Sequence, residues 1–549
     1  MAQMKRRNVQ LKAALGAMAP KEVVEEVANI PVENTTTREG APAYASPDEL
    51  QLLTMLNTCK LEPQYYRSEN QTMRELRDLI ERLALKDPLF VAKAICWSRN
   101  QGEGMRSINH LAAALLAPFA AGQEWAKRFY GPYNKKTKSG GCIFRPDDMV
   151  EIKEVFSALN KPVLTNAMRK GFADVLTSMS LYHLGKYRKV VIDIANLVHP
   201  NPNESNAVIE IEGKKVKALD AIMKGITVSA DTWEVAQAEA GQEVAKAIKE
   251  GKLSESEAQE ILKDAKNKNW KDLLDEGKLG ILAAVRNIRN MLKGASTEVI
   301  NKLCELVENG ELIRKGRVMP YQLDYAYEVT KQEFGAQSSG RQVMVSLYKG
   351  YQAAIPNLKE LLPGKTVVFV DVSGSMTTNC KASGTSNSIQ TNCAQKAGLI
   401  AATIAKATNA DIVKFHGSAW FHPYNPNEDV FTLGRAIGES NGGSTSIPAA
   451  FELIRSKHAK YDRIIILSDY MCNARSAYGD WVSGAYKKYV HDVCSPYVYA
   501  VDLAGYGTVP VSGDKVSFYF GYGYSMFEDI ASKEFNPSRV IDRVREYVI

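Results

Sequence analysis

Cysteine and histidine are scarce in this chain, with eight and seven respectively in 549 residues. The cysteines are dispersed and no two form a C-x-x-C pair, so neither a zinc site nor a disulfide framework is predicted. Several fall in apolar helical or strand patterns, where a free cysteine behaves as a small hydrophobic residue. This usage indicates a reducing, intracellular compartment, and we expect a cytoplasmic protein.

Long hydrophobic runs and the common catalytic motifs are also missing. No stretch of about 18 apolar residues occurs, so no transmembrane helix and no membrane partner are expected. The basic N-terminus lacks the apolar core of a secretory signal. The sequence has no G-x-x-x-x-G-K-[ST] loop, no G-x-S-x-G elbow and no H-E-x-x-H pair. We therefore expect a protein that is not an enzyme.

Charge is present in ordinary amount and is unevenly distributed. The composition is that of a globular protein, with 45% hydrophobic and 24% charged residues. Residues 363–549 carry 18 basic and 17 acidic side chains, whereas residues 1–362 carry 51 and 45. Because this basic excess is modest, local clusters are better indicators of an anionic partner than net charge.

Two periodicities divide the chain. Residues 46–362 repeat apolar residues at helical spacing, which predicts stacked helical pairs interrupted by a small hairpin at 208–216. Over residues 363–549, apolar strands alternate with helices, which predicts a mostly parallel, doubly wound sheet. Residues 1–45 are predicted to be loosely ordered.

The most informative stretch is the end of the first strand predicted in the second part, residues 366–376. Its apolar run closes in Asp371-Val-Ser373-Gly-Ser375, which places three hard oxygen ligands where open α/β sheets bind ligands. Such ligands suit Mg²⁺ or Mn²⁺ and not Zn²⁺. Because one carboxylate leaves most of the charge on a divalent ion, the metal still needs an acidic group from a partner. The polar loop 377–393 that follows is either a disordered decoration or a mobile cover on this site.

Two further segments complete the pattern. Gly442-Gly-Ser-Thr445 offers another hydroxyl before a helical segment, and Arg463-Ile-Ile-Ile-Leu-Ser-Asp469 is a second apolar strand that ends in aspartate. The three parts, in this order, resemble the metal-ion-dependent adhesion site of von Willebrand factor A domains. The resemblance implies that the metal is bound, in part through water, by Asp371, Ser373, Ser375, Thr445 and Asp469.

The helical part carries resemblances of its own. Five segments are similar to helices of the Ro ribonucleoprotein family, whose shared helical region is called the TROVE module. They are Lys86–Cys96, Ala167–Asp174, Lys186–Pro200, Leu282–Met291 and Val318–Leu323. A helical array followed by one A domain resembles the same family. The implied fold class is an α-helical HEAT-like repeat ring plus an α/β doubly wound von Willebrand factor A-like domain.

The resemblance implies an RNA-binding scaffold without catalytic chemistry. Members hold Y RNA, a small structured noncoding RNA, on the outer face of the ring, and single-stranded ends of misfolded RNA enter its hole. Bacterial members act in RNA quality control and tether an exoribonuclease, polynucleotide phosphorylase, through the Y RNA. The hairpin and the polar loop look longer here than in the family, which implies a different local RNA surface. We expect a monomer.

Basic residues are the candidates for RNA contact, because phosphate contacts supply most of the affinity. Arg286, Arg289 and Lys293 share one helix face with no acid among them. Any one basic cluster is otherwise a solvated helix face, and Asn287 either contacts RNA or caps a neighbouring helix. The residues predicted to bind RNA are Arg169, Lys170, Lys186, Arg188, Lys189, Arg286, Asn287, Arg289 and Lys293.

A second interpretation stays open, a protein-binding adaptor whose metal site grips an acidic residue of a partner. Retention on RNA that weakens steeply with salt favours the scaffold, whereas salt-insensitive, metal-dependent protein capture favours the adaptor. A third interpretation, a metal-dependent nuclease, lacks the clustered carboxylates of a two-metal site.

Overall fold

The computed structural model describes residues 32–549. The residues within this range that it leaves out are 60, 62, 63, 65, 101–104, 135, 160–162, 212, 227–243, 245–254, 317, 319, 355–361, 378–391, 441 and 521–538. Most of the predicted loose N-terminal segment and nearly all of the polar loop 377–393 therefore lie outside the described residues. So do residues 526–534, whose apolar spacing predicts one of the helices of the second part. No described helix is long and apolar enough to cross a membrane.

The described helices and strands are as follows. The helices are α1 (Asp48–Thr58), α2 (Glu69–Lys86), α3 (Pro88–Asn100), α4 (Ser107–Ala120), α5 (Ala126–Phe129), α6 (Pro146–Ala158), α7 (Asn166–Ser178), α8 (Leu181–Lys186), α9 (Arg188–Val198), α10 (Ala218–Met223), α11 (Glu255–Asp275), α12 (Ile281–Leu292), α13 (Thr297–Glu308), α14 (Gly310–Lys315), α15 (Pro320–Phe334), α16 (Ser338–Ala354), α17 (Cys393–Thr408), α18 (Val430–Ile437), α19 (Ile447–Ser456), α20 (Val482–Asp492) and α21 (Arg539–Arg545). The strands are β1 (Thr35–Thr36), β2 (Pro42–Ala45), β3 (Tyr133–Asn134), β4 (Ser139–Gly140), β5 (Val208–Ile211), β6 (Lys214–Lys217), β7 (Thr366–Asp371), β8 (Asp411–Phe415), β9 (Ala419–Phe421), β10 (Arg463–Ser468), β11 (Tyr497–Asp502), β12 (Thr508–Val509) and β13 (Val516–Phe520).

The chain forms two compact units, a sheet unit and a helical unit. Of the described residues, those up to residue 90, within 97–109 and within 355–546 form the sheet unit, and those within 91–96, 110–354 and 547–549 form the helical unit. The sequence analysis places the first helices, α1 and α2, with the later ones in the 46–362 region. In the structure they belong to the sheet unit, because α1 packs on β13, hundreds of residues away in the sequence, and α2 packs on α1.

The sheet has six strands in the order β13–β11–β10–β7–β8–β9, and all neighbours are parallel except β8 and β9. Every residue of β7 and β10 is buried, as expected for apolar runs in a parallel sheet covered on both faces. Alternate residues such as Val367 and Ile466 share a core with α19 and α20. Outside that core, α17 packs against β7, β8 and β10. The sequence analysis missed the short edge strand β9 and the helix α18.

Residues 35–36 and 42–45 form strands, although the sequence analysis predicts a loose segment there. β2 pairs antiparallel with both β1 and β12. The Thr37 hydroxyl donates a hydrogen bond to the carbonyl of Cys472 at 3.0 Å, and the Tyr44 hydroxyl donates to Ser483 Oγ at 3.1 Å. These partners lie more than 400 residues further along the chain, so no local pattern reveals the pairing.

The helical unit is built from the amphipathic segments that the periodicity predicts. α16 packs on α13, α14 and α15, α7 packs on α9, and α12 packs on α13 and α15. The hairpin predicted at 208–216 is present as β5 and β6, with Ile209 opposite Val216.

Candidate functional site

The end of β7 brings Asp371, Ser373 and Ser375 onto one tight turn. The backbone N–H of Ser373 donates to Asp371 Oδ1 at 2.9 Å. The hydroxyl oxygens of Ser373 and Ser375 lie 3.3 Å apart. All three side chains are buried, so their oxygens face the interior of this edge of the sheet.

The neighbouring strand β10 ends in Ser468, which Asp469 follows. The Ser468 hydroxyl donates to Asp371 Oδ2 at 2.5 Å, which ties the ends of the two strands together. Asp469 Oδ1 accepts from the N–H of Met471 at 3.1 Å. Asp469 Oδ2 is buried and has no hydrogen-bond partner among the described residues. Tyr470, the next residue, takes a left-handed backbone conformation with φ of +61°, which is uncommon outside glycine and makes the turn sharp.

Thr445 is held beside this turn by backbone contacts. Its N–H donates to Asn473 Oδ1 at 2.8 Å, and its carbonyl accepts from the N–H groups of Asn473 and Ala474 at 3.0 and 3.1 Å. The N–H of Gly374 donates to the carbonyl of Gly443 at 3.2 Å, so the loop before Thr445 touches the Ser373–Ser375 turn. The structure thus brings all five predicted metal ligands to one edge of the sheet.

The electrostatics of this edge favour a cation. Burial raises the pKa of Asp371 to about 6. Burial and the charge of Asp371 raise the pKa of Asp469 to about 8, although the nearby Ser375 hydroxyl lowers it in part. Two buried carboxylates so close together are costly when both are ionised, and a bound cation relieves that cost. Among the described residues, no group of three or more His, Cys, Asp or Glu side chains is arranged to hold a metal. The donors at this edge are therefore hydroxyls and carboxylates together, a set that fits Mg²⁺ or Mn²⁺.

Asp502 is a third buried carboxylate at this edge, and the sequence analysis did not select it. It ends β11, beside β10, and accepts from the N–H groups of Ala504 and Gly505 at 2.8 and 2.7 Å. Burial raises its pKa to about 6, and its charge contributes to the raised pKa of Asp469. The sequence pattern could have predicted Asp502, because β11 is, like β7, an apolar strand that ends in aspartate.

The first group of predicted RNA-binding residues lies on α7, α8 and α9 of the helical unit. Arg169, Lys170 and Lys189 are exposed, while Lys186 and Arg188 are partly exposed. Arg188 Nη2 donates to the carbonyl of Gly225 at 2.9 Å. This guanidinium therefore already contacts the turn that follows α10.

The second group lies on α12, where Arg286, Arg289 and Lys293 are exposed. The sequence analysis found no acid among these residues, but Glu333 of the neighbouring helix α15 reaches the same face. Arg289 Nε and Glu333 Oε2 are 2.8 Å apart. Asn287 Nδ2 donates to the carbonyl of Ala283 at 2.9 Å within its own helix, so it does not cap a neighbouring helix through this group.

Comparison with known proteins identifies the architecture. Residues 218–363 match the family model of the TROVE domain. No curated protein sequence matches the chain. The structure is similar to that of the Deinococcus radiodurans Ro (RSR) protein, with a TM-score of 0.52 and 14% identity over 89% of this chain and 100% of that chain. This likeness confirms the predicted fold class of helical repeats plus a von Willebrand factor A-like domain. The chain is therefore a Ro-like protein, with a TROVE domain at residues 218–363 and the fold of the Deinococcus radiodurans Ro protein.

Proposed function

We propose that this protein, like the Ro family that it resembles, binds RNA and acts as a scaffold without catalytic chemistry. The observation that carries the proposal is a set of exposed cations on three helices of the helical unit. They are Arg169, Lys170, Lys189, Arg286, Arg289 and Lys293. Arg289 is paired with Glu333, and the other cations of the set are placed to neutralise phosphates and release counterions, which is the main source of affinity for a nucleic acid. The TROVE match over part of the same unit supports the proposal.

The proposed ligands are small structured noncoding RNA of the Y type and the single-stranded ends of misfolded RNA. A protein that holds both would serve RNA quality control or processing. An exoribonuclease such as polynucleotide phosphorylase would then be recruited through the bound RNA. The protein would position the substrate, and the nuclease would supply the hydrolytic or phosphorolytic step.

Charge reversal on α12 tests the proposal. Arg289 is unsuitable, because a glutamate there would face Glu333 and repel it. Arg286→Glu with Lys293→Glu avoids that problem. Lys457→Glu with Lys460→Glu, two exposed lysines of the sheet unit, is the control with the same change in net charge.

The unmodified chain should bind a structured RNA with a single-stranded 3′ end, and its affinity should fall log-linearly between about 50 and 200 mM salt. The α12 double variant should bind more weakly and with a smaller salt slope, and the control pair should bind as the unmodified chain does. Equal binding at the two salt concentrations, or equal weakening in the two double variants, would contradict the proposal.

We also propose that the sheet edge holds Mg²⁺ or Mn²⁺. The residues that would hold it, directly or through water, are Asp371, Ser373, Ser375, Thr445 and Asp469. The buried Asp469 Oδ2, which has no hydrogen-bond partner among the described residues, supports this proposal. When bound, the ion would offer an open position to a carboxylate of a partner protein, which is the adaptor function that the sequence analysis left open.

Calorimetric titration with Mn²⁺ tests the metal proposal. Asp371→Ala should abolish binding, because it removes one of the two proposed carboxylate ligands and leaves Asp469 as the only charged one. Asp514→Ala, at an exposed aspartate of the same unit, should leave binding intact. RNA affinity should be the same in both variants. A loss of RNA affinity in Asp371→Ala as large as that in the α12 double variant would contradict the proposal that RNA and metal bind to different units.

A further inference from the structure

α8 and the joint to α9 carry a row of rings beside their basic residues. The rings of Tyr182 and His183 are 5.3 Å apart and meet edge to face at 77°. The rings of His183 and Tyr187 are 6.3 Å apart and inclined at 34°. Tyr182, at the outer end of this aromatic row, is 44% exposed. Part of this ring therefore faces solvent, where a ligand can reach it.

Positive charge accompanies the aromatic row. Lys186 Nζ lies 5.7 Å from the centroid of the Tyr182 ring and 3.4 Å from its hydroxyl. Lys189 is exposed at the start of α9. An ammonium group beside an exposed ring is the pairing that a nucleotide requires, since its base stacks on the ring while its phosphate needs a cation.

Two acidic residues are relevant to the charge beside the aromatic row. Asp147 is close enough to raise the pKa of Tyr187, but it is itself paired with Arg145, whose Nε lies 3.3 Å from Asp147 Oδ1. Asp193 is exposed one helical turn after Lys189. Along residues 182–193, three basic side chains, Lys186, Arg188 and Lys189, accompany one acidic side chain, Asp193.

We propose that the aromatic row is a stacking platform for unpaired bases of single-stranded RNA, with Lys186 and Lys189 on the adjoining phosphates. The inference rests on the proposed RNA-binding function and specifies the part of the RNA that this surface binds. Bases in a duplex present no open face to a protein ring, whereas bases in single strands and loops can be splayed onto one. Stacking tolerates any base, so the platform would bind single-stranded ends of differing sequence.

Variants of Tyr182 test the contribution of base stacking while the charged residues stay in place. The probe is a single-stranded oligoadenylate of about 12 nucleotides, a length within the usual site size, with one 2-aminopurine whose fluorescence is quenched on stacking. Tyr182→Ala removes the ring, and Tyr182→Phe keeps the ring but loses the hydroxyl. Tyr478→Ala is the control, because Tyr478 is a 70% exposed tyrosine of the sheet unit.

Tyr182→Ala should bind the probe at least about fivefold more weakly, lose the quenching and keep the salt slope. Tyr182→Phe and Tyr478→Ala should behave like the unmodified chain. Lys189→Ala should keep the quenching and reduce the salt slope by about 0.7, the value for one phosphate of a single strand. If Tyr182→Ala melts at a lower temperature than the unmodified chain, Tyr182→Leu is used in its place, because leucine is apolar but has no ring.

The outcomes distinguish the two levels of the proposal. If the unmodified chain binds RNA with the expected salt dependence but the ring-less variant keeps both affinity and quenching, the platform is wrong and the RNA-binding function stands. A blunt hairpin that competes as well as the single-stranded probe also overturns the platform alone. If the unmodified chain does not bind RNA, both the function and the platform are wrong.

Discussion

The buried carboxylates of Asp371 and Asp469 set the strongest constraint at the scale of single residues. Each is raised in pKa by burial, and the charge of Asp371 raises the pKa of Asp469 further. Asp371 has hydrogen-bond donors for both oxygens, while one oxygen of Asp469 has none among the described residues. Two buried carboxylates so close together cost stability when both are ionised, and the proposed cation would relieve that cost, so we expect stability to depend on the metal.

Asp469→Asn should therefore reverse its effect when metal is added. Without divalent ions the variant should melt about 2–4 °C higher, because removal of the buried repulsion is worth roughly 1 kcal/mol. With Mg²⁺ at about 100 times its dissociation constant, the unmodified chain should gain about 2.7 kcal/mol and the variant almost nothing. Calorimetric melting in EDTA and in Mg²⁺ measures both, with Asp514→Asn as the control. A variant that melts lower in EDTA would show that Asp469 has a structural role instead.

His110 is a second buried residue whose pKa is shifted by neighbouring carboxylates. It is buried in the helical unit, with Nδ1 2.5 Å from Glu151 Oε2 and Nε2 3.1 Å from Asp148 Oδ1. Burial lowers the pKa of His110, but the hydrogen bonds and charges of the two carboxylates outweigh it, so the pKa is raised.

Replacement of His110 by glutamine should cost less stability at high pH than at low pH. Because the folded pKa lies above the unfolded value of about 6.5, the charged imidazole contributes its full stability below about pH 6.5. That contribution is lost as the pH rises through the folded pKa. Urea unfolding of both chains at about pH 6 and pH 9 checks this. An equal penalty at the two pH values would mean that His110 contributes by packing alone.

At the scale of elements, Arg67 joins the segment between α1 and α2 to the loop that follows β11. Its side chain is fully buried and donates to Gln64 Oε1 at 2.6 Å and to the carbonyl of Gly505 at 3.1 Å. It also pairs with Glu75, with Nη1 3.0 Å from Oε2. The loop it holds begins beside Asp502, so this arginine supports the edge of the sheet where the metal is proposed.

Arg67→Met should destabilise the sheet unit by roughly 3–5 kcal/mol, because it leaves a partly buried carboxylate and several backbone carbonyls without their donor. Arg77→Met, at a half-exposed arginine of the same helix region, should change the free energy of unfolding by less than about 0.5 kcal/mol. Urea unfolding followed by tryptophan fluorescence measures both. Comparable losses in the two variants would contradict the linking role of Arg67.

At the scale of the whole molecule, the two units carry different chemistry. The predicted RNA-binding cations all lie in the helical unit, and the predicted metal ligands all lie in the sheet unit. The hydroxyls at the sheet edge have no histidine placed by a motif to activate them, and a two-metal hydrolytic site needs several carboxylates around ions about 4 Å apart. These considerations support the proposal of a scaffold that binds its partners without cleaving them.

The purified protein should therefore leave single-stranded RNA intact in the presence of Mg²⁺ or Mn²⁺. Trimming should appear only when an exoribonuclease is added, and gel analysis of end-labelled RNA measures it. Asp371→Ala serves as the control for contamination, since a contaminating nuclease would be unaffected by it. Cleavage that survives repurification and disappears in that variant would replace the scaffold with an enzyme.

The features that could be predicted from the sequence are those encoded within a few neighbouring residues. The apolar run before Asp371 predicted a buried strand, and the turn after it predicted clustered oxygen donors, because both depend on local backbone geometry. The i, i+3, i+7 spacing likewise placed Arg286, Arg289 and Lys293 on one exposed helix face. Asp502 was within reach of the same reasoning, since it too ends an apolar strand.

Only the tertiary structure decided which distant groups meet. The pairing of Arg289 with Glu333, the support of Thr445 by Asn473 and the burial of Arg67 against the loop after β11 each join residues separated by 28 to 438 positions. The same holds for β2, whose partner β12 lies at the other end of the chain. Periodicity along a sequence reports which side of an element is buried, because burial repeats with the helix or strand period. It carries no information on which element covers that side, because this depends on how all the elements pack together.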